Sequence, residues 1–243
     1  MKKKAIMMMI AALAAGAVHA VDVSGTADFA SAYVFRGTTF NDGMVFQPGA
    51  SISGLPIPEQ YGAITLGTWA NFDIGDYGGT LKKNRFSEVD YYLTYALPVK
   101  VVDLSTTYTE YTYPNGASAD REVAFCVGKK IGETGLYPSI TANYGLDGAV
   151  EQNWYIQGGI GYDKSLTEAL SLSSSVKAAY ALSDAGSDGF NDATASIGLA
   201  YKITENWSLK GSVTYVAQLD DAVLSDVAYD RPVYGMLGAA CSF

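Results

Sequence analysis

The chain is poor in the residues that most enzymes and metal sites rely on. It holds one histidine, His19, and two cysteines, and its longest apolar stretch lies at the very start. Lys2, Lys3 and Lys4 precede the apolar stretch Ala5–Val18, and Val18-His19-Ala20 puts small or short residues where a signal peptidase cuts. That stretch falls short of the roughly 20 residues a spanning helix needs, so residues 1–20 read as a signal peptide for export and the mature chain as 21–243. His19 leaves with the leader. The mature chain then has no histidine, which excludes Ser-His-Asp catalysis and His-ligated zinc. An enzyme barrel is disfavoured on the same ground.

Positive charge is scarce too. Loss of the three leader lysines takes the formal charge from −9 to −12 and leaves 13 dispersed basic residues. Nucleic-acid binding calls for a clustered basic patch, so it is not expected. Cys126 and Cys241 fall on opposite faces of well-separated strands, which argues against a disulfide. Heptads, proline-rich linkers and low-complexity tails are absent, so 21–243 reads as one domain. No cofactor is expected. Asp184–Gly189 resembles a calcium loop but puts Gly186 and Ala195 at ligand positions. The Asp220, Asp221, Asp226 and Asp230 cluster reads as a solvated loop. Gly158–Gly161 has no following helix to make it a nucleotide loop.

What is present is alternation. Trp207, Leu209, Gly211, Val213, Tyr215 and Ala217 share one face of an extended segment; Ser208, Lys210, Ser212, Thr214 and Gln218 share the other, with Val216 as the one apolar exception. A period of two is the mark of a strand. It recurs over twelve segments: Val23–Phe35, Met44–Ile52, Tyr61–Ile74, Phe86–Leu97, Val102–Tyr113, Arg121–Lys130, Leu136–Tyr144, Asn153–Tyr162, Leu170–Leu182, Ala193–Ile203, Trp207–Gln218 and Pro232–Phe243. Soluble strands run about 5–6 residues, whereas a tilted membrane-crossing strand needs about 9–11. The fold expected is therefore all-β: a transmembrane antiparallel up-and-down barrel of about twelve strands in the outer membrane.

Connections after odd-numbered segments, such as Gly75–Arg85, Ser183–Asp192 and Leu219–Arg231, are long and polar; those after even-numbered ones, such as Thr204–Asn206, are short. Outer-membrane barrels show this asymmetry, and an even strand count puts both termini on the periplasmic side. Aromatics on the apolar faces form two belts. Tyr162, Tyr201, Trp207 and Phe243 are expected at the periplasmic ends; Tyr33, Phe35, Tyr144, Trp154, Tyr180 and Tyr215 are expected at the outer ends. A soluble sandwich would spread its aromatics through the core and leave long edges to protect.

The last segment alternates to its end at Phe243, and it resembles the carboxy-terminal signature of bacterial outer-membrane barrels. That resemblance implies recognition of Phe243 by the barrel-assembly machinery. Cys241 departs from the large apolar residue usual at its position. Four runs, Ser31–Gly37 (SAYVFRG), Gly67–Asn71 (GTWAN), Glu88–Tyr92 (EVDYY) and Tyr111–Pro114 (YTYP), resemble the TorF-like family of outer-membrane porins in order and spacing. The family implies an outer-membrane channel and transfers no substrate and no binding residues.

Inward faces of the later segments are mostly Ser, Thr, Gly and Ala. About eight strands are filled by their own side chains, so twelve lined with small residues leave room for a wetted passage. An interior charge network, or a loop folded inward, would use the same space. Charged inward candidates are Asp28, Arg36, Glu88, Asp90 and Glu122 in the first half and Lys177, Lys202 and Lys210 in the second. Opposed acidic and basic arcs tune a pore; paired charges rigidify a wall. The leading reading is a porin for small hydrophilic solutes, embedded in outer-membrane lipid, and the alternative is an interaction barrel without conductance. Oligomeric state is not legible. Under the porin reading, reversing the charges of Lys177, Lys202 and Lys210 shifts the reversal potential in a salt gradient toward cations; an unchanged potential would remove these lysines from the selectivity mechanism.

Overall fold

The computed structural model describes residues 21–78 and 81–243, so the expected signal peptide lies outside the described residues. Fourteen strands follow one another: β1 (Asp22–Ala30), β2 (Tyr33–Phe35), β3 (Thr38–Asn41), β4 (Val45–Ser53), β5 (Ala63–Asp73), β6 (Arg85–Ala96), β7 (Asp103–Thr112), β8 (Asp120–Gly128), β9 (Leu136–Asp147), β10 (Trp154–Ser165), β11 (Leu170–Leu182), β12 (Gly189–Lys202), β13 (Trp207–Gln218) and β14 (Val233–Ser242). All but β2 and β3 form one closed barrel in which each strand pairs antiparallel with its neighbours and β14 returns to β1. The closing ladder runs from Ser24↔Ser242 to Ala30↔Met236. Val23 and Phe243 extend it by exchanging both backbone hydrogen bonds at 2.9 Å. The start of β1 and the end of β14 thus lie together, at the end of the barrel that carries the short turns. The twelve-strand antiparallel barrel expected from the alternation is the fold observed.

Barrel strands run from 9 residues in β1 to 14 in β12. The segments read as Leu170–Leu182 and Trp207–Gln218 coincide with β11 and β13. The outer face carries the large apolar residues: Phe125, Ile140, Ile160, Val176, Ile197, Leu209, Val213 and Leu237 are all exposed. For a barrel in lipid, such exposure places the apolar side chains against hydrocarbon. Tyr144 and Trp154 pack together on neighbouring strands at 4.7 Å between ring centroids, as do Tyr180 and Phe190 at 5.3 Å. At the other end Trp207 meets Phe243 edge-on at 6.2 Å.

The first segment departs from expectation. The alternation predicts one strand, Val23–Phe35, with Tyr33 and Phe35 on the lipid face. The chain instead leaves the wall at Ala30 and turns inward as the hairpin β2–β3, which forms its own two-stranded sheet. Tyr33 is only 7 % exposed. The reason is legible in the turn. Phe35 pairs with Thr38 across the two residues Arg36 and Gly37, with φ of 51° and 79°. Two successive positive φ values define a type I′ turn, whose twist matches that of the flanking strands. Such a turn closes a short hairpin on itself and frees it from the wall. Gly37 also has no room for a side chain, because a Cβ there would lie 2.5 Å from Leu224 and 3.0 Å from Asp192.

Because the lipid face and the lumen alternate along each strand, neighbouring positions differ sharply in tolerance. Ile197, near the middle of β12, should lose about 2–4 kcal/mol of folding free energy on replacement by Arg. Ser196→Arg, on the lumen side, should lose far less. Urea unfolding of both variants in lipid vesicles measures the difference, and equal losses would contradict the assigned faces.

Candidate functional site: the lumen and its inward hairpin

The hairpin brings apolar and charged groups into a bore whose wall is polar. Tyr33, Ala30 and Val45 form a buried apolar cluster, with Phe35, Trp69 and Met236 packed around it. Tyr33 stacks on Phe40 at 5.3 Å and leans on Trp69 at 5.5 Å, while Phe35 approaches Tyr111 at 6.1 Å. Val216, the one apolar residue on the lumen face of β13, is 1 % exposed. It lines the same cavity as Val34 and Gly37 of the hairpin. Its departure from the polar pattern is thus the wall's complement to the hairpin.

Polar contacts then tie the hairpin to opposite sides of the barrel. The Tyr33 hydroxyl donates to Glu88 on β6 at 2.8 Å. The Arg36 guanidinium donates twice to Glu122 on β8, at 2.7 Å each, in the bidentate geometry that favours arginine. The same guanidinium lies over the rings of Phe35 and Tyr155 at 4.7 and 4.6 Å. From β12, the Asn191 side chain donates to the Arg36 carbonyl at 2.8 Å. Asn41 donates to Asp73 on β5 at 2.7 Å, and the Thr39 amide donates to the Ala228 carbonyl of the last long loop. Held this way, Arg36 tolerates a left-handed backbone that costs a non-glycine residue about 1–2 kcal/mol.

Burial pushes the Tyr33 phenol well above its ordinary value, and the Glu88 carboxylate adds to the shift, so it stays a hydrogen-bond donor. Burial alone would lower the Arg36 pKa, but the hydrogen bonds and charge of Glu122 outweigh it and the net shift is upward. Arg36 therefore remains a cation throughout the physiological range.

Arg36 lines two cavities. One, of about 220 Å³, is shared with Glu122, Asn153, Trp154, Asn191 and Val223; the other, of about 310 Å³, is shared with Val34, Tyr111, Gln157, Asp192 and Tyr234. The guanidinium and its partners thus project into the bore near the long-loop end, with both cavities beside them. Towards the short-turn end, a further cavity of about 530 Å³ is bordered by Thr26, Ser171, Lys202, Ser208 and Ser242.

The charged candidates fall into four groups. Arg36 and Glu122 are joined directly. Lys210 donates to Asp28 at 2.9 Å, across the barrel closure. Both residues are in register with Gly238 on the intervening β14, where a Cβ would lie 1.9 Å from Asp28 Oδ1, so the glycine is what lets them meet. Glu88 and Asp90 sit two residues apart on the lumen face of β6, both buried. Lys177 and Lys202 are exposed on the opposite wall. Sequence reasoning missed Asp73, Asp120 and Asp192, which are buried and held by Asn41 and Asn71, by Tyr113 and the Ala149 amide, and by Tyr155 and Asn191 respectively. The available signal was the same-face run Trp69, Asn71, Asp73, which continues a strand face into acid. Cys126 and Cys241 are both free thiols.

No family model matches the chain, and no curated protein matches it by sequence. Solved structures do resemble it. The COG4313 outer-membrane channel from Pseudomonas putida F1 matches at TM-score 0.57 and 8 % identity, over 94 % of this chain and 97 % of that one. The KdgM porin, solved in complex with disordered oligogalacturonate, matches at 0.54 and 11 % identity, over 92 % and 99 %. The NanC porin matches at 0.50 and 13 %, over 91 % and 98 %. At such identities the likeness is one of fold: this chain has the fold of small outer-membrane channel barrels.

Removing Arg36 leaves Glu122 buried without its cation. Breaking a buried pair from one side costs about 3–5 kcal/mol, and here the loss should appear as undocking of the hairpin. Arg36→Ala should speed hydrogen exchange at Val34 and Thr39, and pairing it with Glu122→Gln should restore much of the protection. Unchanged exchange in the single variant would mean the aromatic cluster alone holds the hairpin.

Proposed function

We propose that the protein is a non-enzymatic outer-membrane porin with a narrow bore, passing small hydrophilic solutes past a constriction made by the β2–β3 hairpin. The observation that carries this reading is the polar, closed twelve-strand bore with cavities on both sides of Arg36. Twelve strands enclose more space than wall side chains fill, and the hairpin narrows that space while leaving solvent-sized volumes beside it. Asp28, Arg36, Glu88, Asp90, Glu122, Lys177, Lys202 and Lys210 are the pore-lining charges under this proposal. Two of the four basic groups are neutralised by direct pairing. Lys177 and Lys202, exposed on β11 and β12, are the basic groups of this set with no carboxylate partner among the described residues, and they set the field of the lumen.

Membership in the TorF-like porin family belongs to the same proposal and rests on the four motif runs. Export by the leader, residence in outer-membrane lipid and delivery of the Phe243 strand to the barrel-assembly machinery complete it.

A second reading has its own observation. The hairpin is bonded to β5, β6, β8, β12 and the last long loop, as a plug would be. A plugged barrel would serve as an interaction or structural module. Planar-bilayer recording of the refolded protein separates the two. The porin should show small, steady open steps, and Arg36→Ala should enlarge them several-fold by loosening the constriction. A barrel that is silent in wild type and conducts only as Arg36→Ala is plugged, and silence in both sinks the porin reading.

A further inference from the structure

The loop 219–232, between β13 and β14, is anchored on two sides of the barrel. At its start the Leu219 amide donates to the Asn191 carbonyl at 3.2 Å, and Val223 lies against Gly189, both on β12. Near its end Asp230 accepts from the Tyr77 hydroxyl, in the connection after β5, at 3.1 Å. In the closed barrel β14, β1 and β4 separate β13 from β5. Between those anchorages the loop rests on the hairpin, so it crosses the mouth instead of following the rim.

The contacts at the centre are the tight ones. Leu224 is 4 % exposed, and it covers Gly37 at the apex of the hairpin turn. Thr39, equally buried, is clasped by the loop through three bonds. Its amide donates to the Ala228 carbonyl at 2.8 Å, and its hydroxyl oxygen accepts from the Asp230 and Arg231 amides at 3.3 and 3.0 Å. The loop is braced from below. Tyr229 donates to the Val216 carbonyl at 2.7 Å, and the Gln218 side chain donates to the Leu224 carbonyl. Val223 borders the cavity that holds Arg36 and Glu122. The rim is weaker, because the Arg231–Asp42 pair at 3.2 Å is well exposed on both sides, and exposed ion pairs contribute little.

We propose that the loop 219–232 is a lid that latches the β2–β3 hairpin in the lumen, and that the hairpin leaves its seat only after the lid has lifted. The reason lies in how the hairpin is tethered. It joins the wall at Ala30 and Val45, which are in register at the long-loop ends of β1 and β4. Its way out of the bore therefore leads through the long-loop mouth, where Leu224 and the Thr39 clasp stand. The hairpin's other bonds run to the wall, at Glu88, Glu122, Asp73 and Asn191, and hold it sideways. Lid and hairpin thus form one body that opens from the outside inward, with the exposed rim pair releasing first. The latch stands on this geometry. That lifting it widens the bore rests on the porin reading above.

Two readouts on the refolded full-length protein test the latch: hydrogen exchange at the Val34 amide, inside the hairpin, and open-step frequency in planar bilayers. Exchange reports local opening without global unfolding. Leu224→Ala removes the cap, and Thr39→Val leaves two loop amides without their acceptor. Each should speed Val34 exchange about tenfold and raise open-step frequency several-fold. Val227→Ser, on the 91 % exposed edge of the same loop, should change neither. A lock tests the converse. A Cβ at Gly189 would lie 2.8 Å from Val223 Cγ2, within reach of a disulfide. Gly189→Cys with Val223→Cys, in a background of Cys126→Ser and Cys241→Ser, should slow Val34 exchange and suppress open steps when oxidised, and dithiothreitol should reverse both. Heat-modified mobility on gels verifies that each variant is folded. Faster exchange at the Leu224 amide with Val34 unchanged would show the loop riding on a hairpin it does not hold, and would overturn the latch even if the wild type conducts. Faster Val34 exchange in a barrel silent throughout would support the latch and count against the porin reading alone.

Discussion

Closure is the constraint from which the rest follows. In hydrocarbon every backbone N–H and C=O must find a partner within the protein, and a sheet meets that demand only when its last strand returns to its first. Here the return is the β1–β14 ladder, extended by the reciprocal bonds of Val23 and Phe243. Once twelve strands close, their circumference is set, and so is a bore wider than inward-facing serines and alanines can fill. The chain meets that surplus by sending the segment after β1 inside. Its hydrophobic cluster lies in the bore, around Tyr33, which inverts the usual placement of a soluble protein's core without changing the physics of burial.

The interior is also where charge and motif converge. The four runs that resemble the TorF-like porins are the hairpin and the surfaces that receive it. Ser31–Gly37 is the first arm and turn, Gly67–Asn71 supplies Trp69 and Asn71, Glu88–Tyr92 supplies the acidic pair, and Tyr111–Pro114 supplies the phenols that donate to Glu122 and Asp120. Runs of four to seven residues scattered along the chain are, in three dimensions, one contiguous interior. The lipid-facing surface tolerates any apolar side chain of suitable size and so carries little that is specific. The packed, hydrogen-bonded lumen admits far fewer solutions.

Much of the wall was legible because its rule is local. A strand with lipid on one side and water on the other alternates along its length, as β11 and β13 do, and no distant contact is needed to read it. The interior was not legible, because its rules are long-range. Tyr33 and Phe35 alternate as lipid-facing residues would, and nothing nearby says that the chain has left the wall at Ala30. Arg36-Gly37 makes a type I′ turn without the usual Asn-Gly, since Arg36 is held by Glu122, 86 residues away in sequence. The meeting of Lys210 with Asp28 depends on closure and on a glycine in a third strand. The one local trace of the interior was negative: Val216 breaks a polar face, and the break marks where the hairpin rests.

The same geometry bears on how the molecule is put together. The hairpin emerges from the first loop, yet its partners lie 55, 86 and 155 residues further along the chain, on β6, β8 and β12. Contacts of such separation form late, because the intervening chain must first be ordered. The segment made almost first is therefore among the last to reach its place, waiting until the opposite wall has arrived. During that wait its aromatic residues are uncovered inside a half-built shell. The hairpin docks only when the cylinder around it is complete, so its docking is a record that assembly has finished.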